Sequence, residues 1–370
     1  MRATDPGRTA TPAAARPRTS EPLVVDRLNV AFAKGRRPVV RDVSFAVAPG
    51  EAVGLVGESG SGKSLTLRSV LGLLPNGAVA TGRIAYGDTS LLELSGKEMQ
   101  RMRGSRIGMV FQDPMSALNP ILRVGDAIAQ VIRSHEKVDG KTAHQRAVAI
   151  MERVGIRDAA SRASSYPHQF SGGMRQRIVV AMALAANPTL LLADEPTTAL
   201  DVVVQAAILR LLDDLRRERG MSLLLVSHDF GVVVGVCDRV GVMYAGELVE
   251  LGPTREVLRA PRHPYTRGLV DSLPEAGEGD RMTSIPGSPP EPGALPPGCP
   301  FAPRCELATA ECTAGPIPLR EVAPGRHARC LHSDQVPPPA AVLRAAAAAL
   351  PVVPPLPMVP EATRPEPADG

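Results

Sequence analysis

The stretch that decides the fold is a glycine-rich loop, Gly57-Glu58-Ser59-Gly60-Ser61-Gly62-Lys63-Ser64. It fits the pattern G-x-x-x-x-G-K-[ST], in which backbone amides and a helix N-terminus surround phosphate groups. An apolar strand is predicted over 51–56 before the loop and a helix over 63–74 after it. Lys63 is expected to reach the β- and γ-phosphates, and Ser64 to bind Mg²⁺. A plain glycine-rich turn is the alternative, but the strand and the helix around the loop favour nucleotide binding.

Two carboxylates follow a second apolar strand, which is predicted over 189–193. Asp194 and Glu195 stand at the C-terminal end of this strand, where open parallel sheets bind their ligands. Asp194 suits the ligand shell of a metal ion, and Glu195 is expected to act as a general base on water. Two solvated acids at a strand end are the alternative interpretation of this pair.

The rest of the central region alternates strand-like runs with helix-like periodicity. A third strand is predicted over 222–226, and a helical stripe over 204–215 ends before Gly220. Residues 239–251 predict a hairpin that turns at Ala245 and Gly246 and closes the domain on an antiparallel side. The pattern predicts an α/β domain with a largely parallel sheet.

Composition narrows the function classes. The chain has 370 residues, 44% of them hydrophobic, so it can bury a sizeable core. Its 42 Lys and Arg against 38 Asp and Glu give a net charge of +4, which does not predict a nucleic-acid partner. No apolar run in residues 1–20 resembles an export signal, so we expect a cytoplasmic protein. Residues 1–20 and 335–370, rich in Pro and Ala, are predicted to be disordered.

The segment Phe170-Ser171-Gly172-Gly173-Met174-Arg175-Gln176 resembles the signature of the ATP-binding cassette (ABC) family. The resemblance implies a P-loop NTPase fold with a RecA-like core, an antiparallel β subdomain and a helical subdomain. It places the ATPase domain at 21–270, its helical subdomain at about 114–185 and a small Cys-rich module at 271–334. It also implies that Ser171, Gly172 and Gly173 serve the ATP held by a second cassette.

Further matches to the family follow in its order. Gln112 looks like the glutamine that contacts metal and water, and His228 like the switch histidine that holds the γ-phosphate and the attacking water. Asp201, after Ala199 and Leu200, looks like the cross-subunit loop. Phe32 occupies the place of the aromatic that stacks on adenine, although a core Phe in a strand is the alternative.

Three segments resemble the peptide and nickel importer branch: Phe111–Pro120, Phe170–Arg177 and His263–Leu269. The resemblance implies an ATPase that drives uptake of di- and oligopeptides. It also implies a second cassette, two permease subunits and, indirectly, a solute-binding protein, at the cytoplasmic face of the cell membrane. A nickel or other small-solute importer is the alternative within the branch. A soluble non-transport ATPase is less favoured, because the gap from Lys63 to Ser171 leaves no room for a long coiled coil.

Four of the five cysteines lie close together, at Cys299, Cys305, Cys312 and Cys330. In a reducing compartment such a cluster favours metal binding over disulfides, but the spacing leaves the metal undecided. The resemblance to importer cassettes implies a [4Fe-4S] cluster here, with zinc or metal-free thiols as alternatives. Cys237 lies in an apolar run and is predicted to be a core thiol.

Overall fold

An eight-stranded mixed sheet carries the glycine-rich loop. The computed structural model describes residues 20–32, 38–198, 200–273, 285–291 and 295–339. The sheet's strands, numbered along the chain, are β3 (Ala52–Val56), β6 (Ile107–Val110), β7 (Leu190–Asp194), β8 (Ser222–Ser227), β9 (Arg239–Tyr244), β10 (Glu247–Pro253), β11 (Arg320–Ala323) and β12 (Arg326–Ala328). They lie in the order β11-β12-β10-β9-β3-β8-β7-β6.

Five neighbouring strands of this sheet, β9, β3, β8, β7 and β6, are parallel. Every residue of β3, β6, β7 and β8 is buried, which explains why these strands are nearly continuous apolar runs in the sequence. Since the strands are parallel, their carboxyl ends meet at one edge of the sheet. The glycine-rich loop, Gln112, Glu195 and His228 all follow strands at this edge.

A separate antiparallel sheet packs beside the first. Its strands are β1 (Leu23–Phe32), β2 (Val40–Val47), β4 (Ala78–Tyr86) and β5 (Thr89–Ser90), in the order β2-β1-β4-β5. Alternate residues of β1 and β2 are buried, as expected for strands with one face on the core. Leu28, Val43 and Ile84 of this sheet share an apolar cluster with Leu55 and Leu67 of the main domain.

Helices cover the parallel sheet. The described helices are α1 (Lys63–Val70), α2 (Gly96–Met102), α3 (Pro114–Ala117), α4 (Val124–His135), α5 (Gly140–Arg153), α6 (Ala159–Arg162), α7 (Gly172–Leu184), α8 (Val202–Arg219), α9 (Phe230–Val236), α10 (Thr254–Arg259), α11 (Pro264–Asp271) and α12 (Ala310–Ala314). Between Pro114 and Leu184 these elements are helical, and α4, α5 and α7 contact one another. Among the described residues, no helix combines the length and the apolarity needed to cross a membrane.

Several element boundaries differ from the sequence predictions. Helix α1 ends at Val70 rather than near residue 74, because Leu71 caps it and Gly72 takes a left-handed conformation (φ 60°). Strands β3 and β7 each begin one residue later than predicted, and β8 ends one residue later. The hairpin between β9 and β10 is confirmed, with its turn at Ala245 and Gly246.

The C-terminal segment, for which the sequence predicts a small Cys-rich module over 271–334, adds the strands β11 and β12 to the main sheet. β12 pairs with β10 through Ala328 and His327, so the antiparallel hairpin does not end the sheet. Phe301 joins the principal apolar core, where its ring packs on Tyr244 and Tyr265. Residues 295–339 therefore form a set of short elements that are attached to the main sheet.

The predicted disordered ends lie mostly outside the described residues, which begin at Ser20 and end at 339. At these margins the chain contacts the domain. The Ser20 hydroxyl hydrogen-bonds that of Ser222 at 2.5 Å, and Val336 and Pro337 line a surface cavity.

Candidate nucleotide site

The glycine-rich loop connects β3 to α1 in a conformation that other residues would not permit. Gly57 has a φ of 151°, and a Cβ on it would lie 2.1 Å from the carbonyl oxygen of Met243. Gly62, with a φ of 96°, precedes the first turn of α1. Lys63 donates to the carbonyl oxygens of Gly57 at 2.7 Å and Glu58 at 2.9 Å. Its ammonium group therefore sits inside the loop, where a phosphate would be received.

Burial lowers the pKa of Lys63, and the carboxylates of Glu195, Asp194 and Glu58 oppose that change. The residue is only 4% exposed. The described hydrogen bonds of its ammonium group all go to uncharged oxygens, so this buried cation is suited to a polyanionic ligand.

Ser64 and Asp194, two of the residues predicted to bind Mg²⁺, are in direct contact. The Ser64 hydroxyl donates to Asp194 Oδ1 at 2.7 Å, and the Arg68 guanidinium binds the other oxygen, Oδ2, at 3.2 Å. The Asp194 side chain is fully buried. Hydroxyl and carboxylate oxygens are hard donors of the kind that Mg²⁺ prefers, so these two residues fit the ion. Arg68 was not singled out in the sequence, because nothing in a lone helical arginine indicates its partner.

Three side chains converge on Glu195. Its Oε2 atom accepts from Gln112 Nε2 at 3.1 Å and from Thr198 Oγ1 at 2.8 Å, and it lies 3.1 Å from His228 Nδ1. The backbone of Glu195 takes a left-handed conformation (φ 45°), and its N–H donates to Val226 of the neighbouring strand. The structure thus brings together Gln112, Glu195 and His228, as the sequence predicts, and adds Thr198, which no motif in the sequence indicates.

The signature residues cap a different helix. The Ser171 hydroxyl accepts from the Met174 N–H at 3.4 Å at the start of α7, and Ser171 and Gly172 are exposed. Asp201 caps α8 by accepting from the Val204 N–H at 2.9 Å. Beside it, Val202 and Val203 are 76% and 67% exposed. Ala199, in the same predicted loop, lies outside the described residues.

Phe32 is the last residue of β1, where it pairs with Ala78 and is half-buried. A cavity of about 360 Å³ opens at the tip of the glycine-rich loop. Its lining includes Val39, Ser59–Ser61, Leu65, Tyr244, Ala245, Pro289–Glu291 and Leu295. Phe32 is not among the residues that line it. The contact of Phe32 with adenine stays a prediction.

The four clustered cysteines line one small apolar cavity of about 10 Å³. All four are free thiols, and the Cys299 N–H donates to the Cys312 carbonyl at 2.7 Å. Burial raises the pKa of Cys299 to about 12 and that of Cys330 to about 11. In the described part of the chain, no group of three or more Cys, His, Asp or Glu side chains is arranged to hold a metal ion. Cys237 is buried in the principal core, as predicted.

Comparison with known proteins defines the class. Residues 40–198 match the ABC transporter family, and residues 249–312 match the family described as the oligopeptide/dipeptide transporter C-terminal region. The chain belongs to the ABC transporter ATP-binding family, and it is an ABC ATPase with the cassette fold of that family.

Two relatives are described as ATP-binding proteins of peptide transport or import. The chain is 48% identical over 295 residues to the dipeptide transport ATP-binding protein DppD of Bacillus subtilis, a match that covers 78% of this chain and 88% of that protein. It is 46% identical over 330 residues to a candidate peptide import ATP-binding protein of Brucella melitensis, with 85% of this chain and 98% of the relative covered.

Two solved structures share the fold. The cassette MJ0796, described as a dimer in a post-hydrolysis state with ADP and Pi, matches with a TM-score of 0.56 and 27% identity over 63% of this chain and 98% of that one. CbiO1 of Clostridium perfringens, part of the cbiONQ complex, matches with a TM-score of 0.56 and 28% identity, covering 64% of this chain and 90% of that one.

Proposed function

We propose that this chain is the ATP-hydrolysing subunit of a peptide importer and that Glu195 is its general base. The observation that carries the proposal is the convergence of Gln112, Thr198 and His228 on one oxygen of Glu195, at the sheet edge that also carries the glycine-rich loop. A base must be held in a fixed orientation to accept a proton from water as the water attacks. These three contacts provide that orientation.

The hydrolysis step follows from the same groups. The backbone amides of the loop and Lys63 bind the β- and γ-phosphates of ATP. Ser64, Asp194 and Gln112 would hold Mg²⁺, which would neutralise charge on the phosphate oxygens. Glu195 accepts a proton from water while the water oxygen bonds to the γ-phosphorus, and the bond from that phosphorus to the β-phosphate bridge oxygen breaks. The products are ADP and inorganic phosphate. His228 positions the γ-phosphate and the water.

A second cassette completes the site in this proposal. The start of α7, where Ser171 and Gly172 are exposed and Gly173 is half-buried, can offer N–H groups to a γ-phosphate held by another subunit. The exposed Val202 and Val203 next to Asp201 are apolar surface that a partner would cover. The partner is a like or sister cassette. The dimer described for MJ0796 supports this arrangement, since that cassette shares the fold.

The permease contact is proposed for an apolar groove beside Gln112. A cavity of about 260 Å³ lies between β6 and the helices α3, α4 and α7, with Phe111, Ala117, Val131, Val179 and Met182 on its walls. Phe111 adjoins Gln112, so a segment seated in the groove would sense whether the nucleotide site is occupied. We propose that two permease subunits dock here, at the cytoplasmic face of the membrane. A solute-binding protein would take part indirectly.

The cargo is proposed from the relatives, whose names specify peptide and dipeptide transport. The test is uptake of a radiolabelled dipeptide and of ⁶³Ni²⁺ by a strain lacking this gene, complemented with the wild-type gene or with Glu195→Gln. We expect dipeptide uptake to return with the wild type and not with the variant. Restoration of nickel uptake alone would replace the peptide assignment with nickel, and restoration of neither would contradict the importer proposal.

The cysteine cavity is proposed to hold a [4Fe-4S] cluster. Four free thiols on the walls of one cavity supply the donor type that such a cluster or zinc requires, which supports the proposal. Among the described residues they are not arranged around a metal position, so binding would require the thiols to move apart. Anaerobic purification followed by absorption spectroscopy and by iron, sulfide and zinc analysis tests it. Four iron and four sulfide per chain are expected. Zinc without sulfide would replace the cluster by a zinc site, and metal-free protein would contradict both.

A further inference from the structure

Arg304, in the Cys299–Cys305 segment, reaches the glycine-rich loop although 246 positions separate it from its partner there. Its Nη1 atom donates to Glu58 Oε2 at 3.2 Å and to Oε1 at 3.3 Å. The Arg304 side chain is 6% exposed, and that of Glu58 is 27% exposed. This ion pair is thus largely shielded from water, unlike a typical surface pair.

The guanidinium of Arg304 makes several further hydrogen bonds and two contacts with aromatic rings. Its Nε donates to the Pro286 carbonyl at 2.7 Å, its Nη2 to the Ile285 carbonyl at 3.2 Å, and its Nη1 to the Tyr244 hydroxyl at 3.2 Å. It also lies over the rings of Phe301 and Tyr244, at 5.6 and 5.8 Å from their centroids. The position of the Arg304 guanidinium is therefore fixed by contacts outside the glycine-rich loop.

Glu58 is bound through each of its polar parts. Its backbone N–H donates to the Tyr265 hydroxyl at 2.8 Å, and its carbonyl accepts from Lys63 at 2.9 Å. Its carboxylate accepts from Arg304. Tyr265 is fully buried and, like Arg304, packs against Phe301. Both residues outside the loop that bind Glu58, Arg304 and Tyr265, thus belong to or pack on one aromatic cluster. Tyr244, Tyr265 and Phe301 form this cluster.

We propose that Arg304 is a positioning residue for the nucleotide site, acting through Glu58 to hold the glycine-rich loop in the conformation that receives phosphates. The proposal rests on the proposed function, because it assigns a further residue to the same ATP site. A loop with exposed Ser59 and Gly60 loses conformational freedom when it closes on a ligand, and a loop already fixed at Glu58 loses less. Arg304 therefore raises affinity for the nucleotide, and it leaves the chemical step to Glu195.

The test compares purified full-length variants by calorimetric titration with MgADP and by steady-state ATP hydrolysis. We expect Arg304→Ala to raise the dissociation constant for MgADP and the KM for ATP about tenfold, the factor that a charge-assisted hydrogen bond typically represents. The kcat should change less than twofold. Arg304→Lys keeps the charge but not the forked geometry, and it should recover part of the lost affinity.

A double-mutant cycle separates action through Glu58 from a general loss of structure. If Arg304 acts through Glu58, then Glu58→Ala and the double variant should both bind MgADP about as weakly as Arg304→Ala. Glu58 lies on a surface loop, so its variant tests the contact even where Arg304→Ala does not fold. Additive losses in the double variant, or unchanged affinity in Glu58→Ala, would overturn the proposal.

The matched control is Arg262→Ala. Arg262 also links the main domain to the C-terminal segment, through a 2.8 Å ion pair with Asp334, but it does not contact the glycine-rich loop. We expect its MgADP affinity to equal that of the wild type. Wild-type protein that binds no nucleotide would defeat the proposed function itself, whereas wild-type binding that Arg304→Ala and Glu58→Ala leave unchanged would defeat only the role of Arg304.

Discussion

At Glu195, side chains from three separate chain segments meet one carboxylate. The residues themselves could be predicted, because Gln112, Glu195 and His228 each follow an apolar strand and parallel strands bring such positions to one edge. Thr198 could not, because its role depends on the path of the turn after β7 and on the left-handed backbone at Glu195. Arg304 could not either, since no local pattern pairs it with Glu58 so far along the chain.

Replacement of Glu195 by Gln should stop turnover without loss of binding. The amide keeps the size and the hydrogen-bonding reach of the side chain but cannot take a proton from water, so kcat should fall about 10²- to 10⁴-fold. Nucleotide titration and phosphate release measure the two effects. Lys63→Ala is the contrasting variant, because it removes the cation inside the loop and should abolish binding. Undiminished hydrolysis by the Glu195 variant would remove its assigned role.

Among the elements, the parallel strands were the most predictable, because each is a short apolar run that is buried along its length. The ends of the helices and strands were less predictable than their positions. The predicted end of α1 ran past Val70 because Leu73 and Leu74 continue the apolar character, although Gly72 already turns the chain away. No pattern in the sequence indicates the pairing of β12 with β10, because β12 has three residues and two of them, Arg326 and His327, are polar.

A buried histidine caps the N-terminus of helix α11 and links stability to pH. His263 is 1% exposed, and its Nδ1 accepts from the Tyr265 N–H at the helix start. Burial lowers the pKa of His263 to about 3, against 6.5 for the ordinary residue. Below pH 6.5 the unfolded chain binds a proton here and the folded chain does not, so the contribution of His263 to stability falls as the pH decreases towards 3. The limiting slope is about 1.4 kcal/mol per pH unit from this group.

His263→Asn should flatten that dependence. Asn can cap the helix in place of the ring nitrogen and does not titrate in this range. We expect the variant to be less stable at pH 7.5, where the lost ring packing dominates, but to lose less stability between pH 6.5 and 4.5 than the wild type does. Urea unfolding at several pH values measures both slopes. Equal slopes for the two proteins would show that His263 is not the group responsible.

Across the whole molecule, the C-terminal segment is tied to the main domain by a buried ion pair. Arg326 of β12 donates to Glu250 of β10 at 3.0 Å, and the two side chains are 6% and 1% exposed. Glu250 also accepts from the backbone N–H groups of Arg262 and His263. A carboxylate this deeply buried depends on its partners, since water cannot replace them.

Arg326→Ala should therefore cost about 3–5 kcal/mol of unfolding free energy, because it leaves the Glu250 carboxylate buried without its cation. Denaturant unfolding followed by circular dichroism gives the value. Arg153→Ala is the control, since the Arg153–Glu218 pair is 41% and 55% exposed and should be worth less than about 1 kcal/mol. If the two variants lost similar amounts of unfolding free energy, the buried ion pair would contribute no more to stability than an exposed one.

The position of β12 also bears on solubility. With β12 in place, the outer backbone groups of β10 at Glu250 and Leu251 are hydrogen-bonded within the same chain. Without β12, these backbone groups of β10 would form an unpaired strand edge, which can pair with strands of other molecules and start aggregation. A shortened protein that ends after α11 would thus expose the unpaired edge of β10 and aggregate more readily. The C-terminal segment protects the protein by covering this edge.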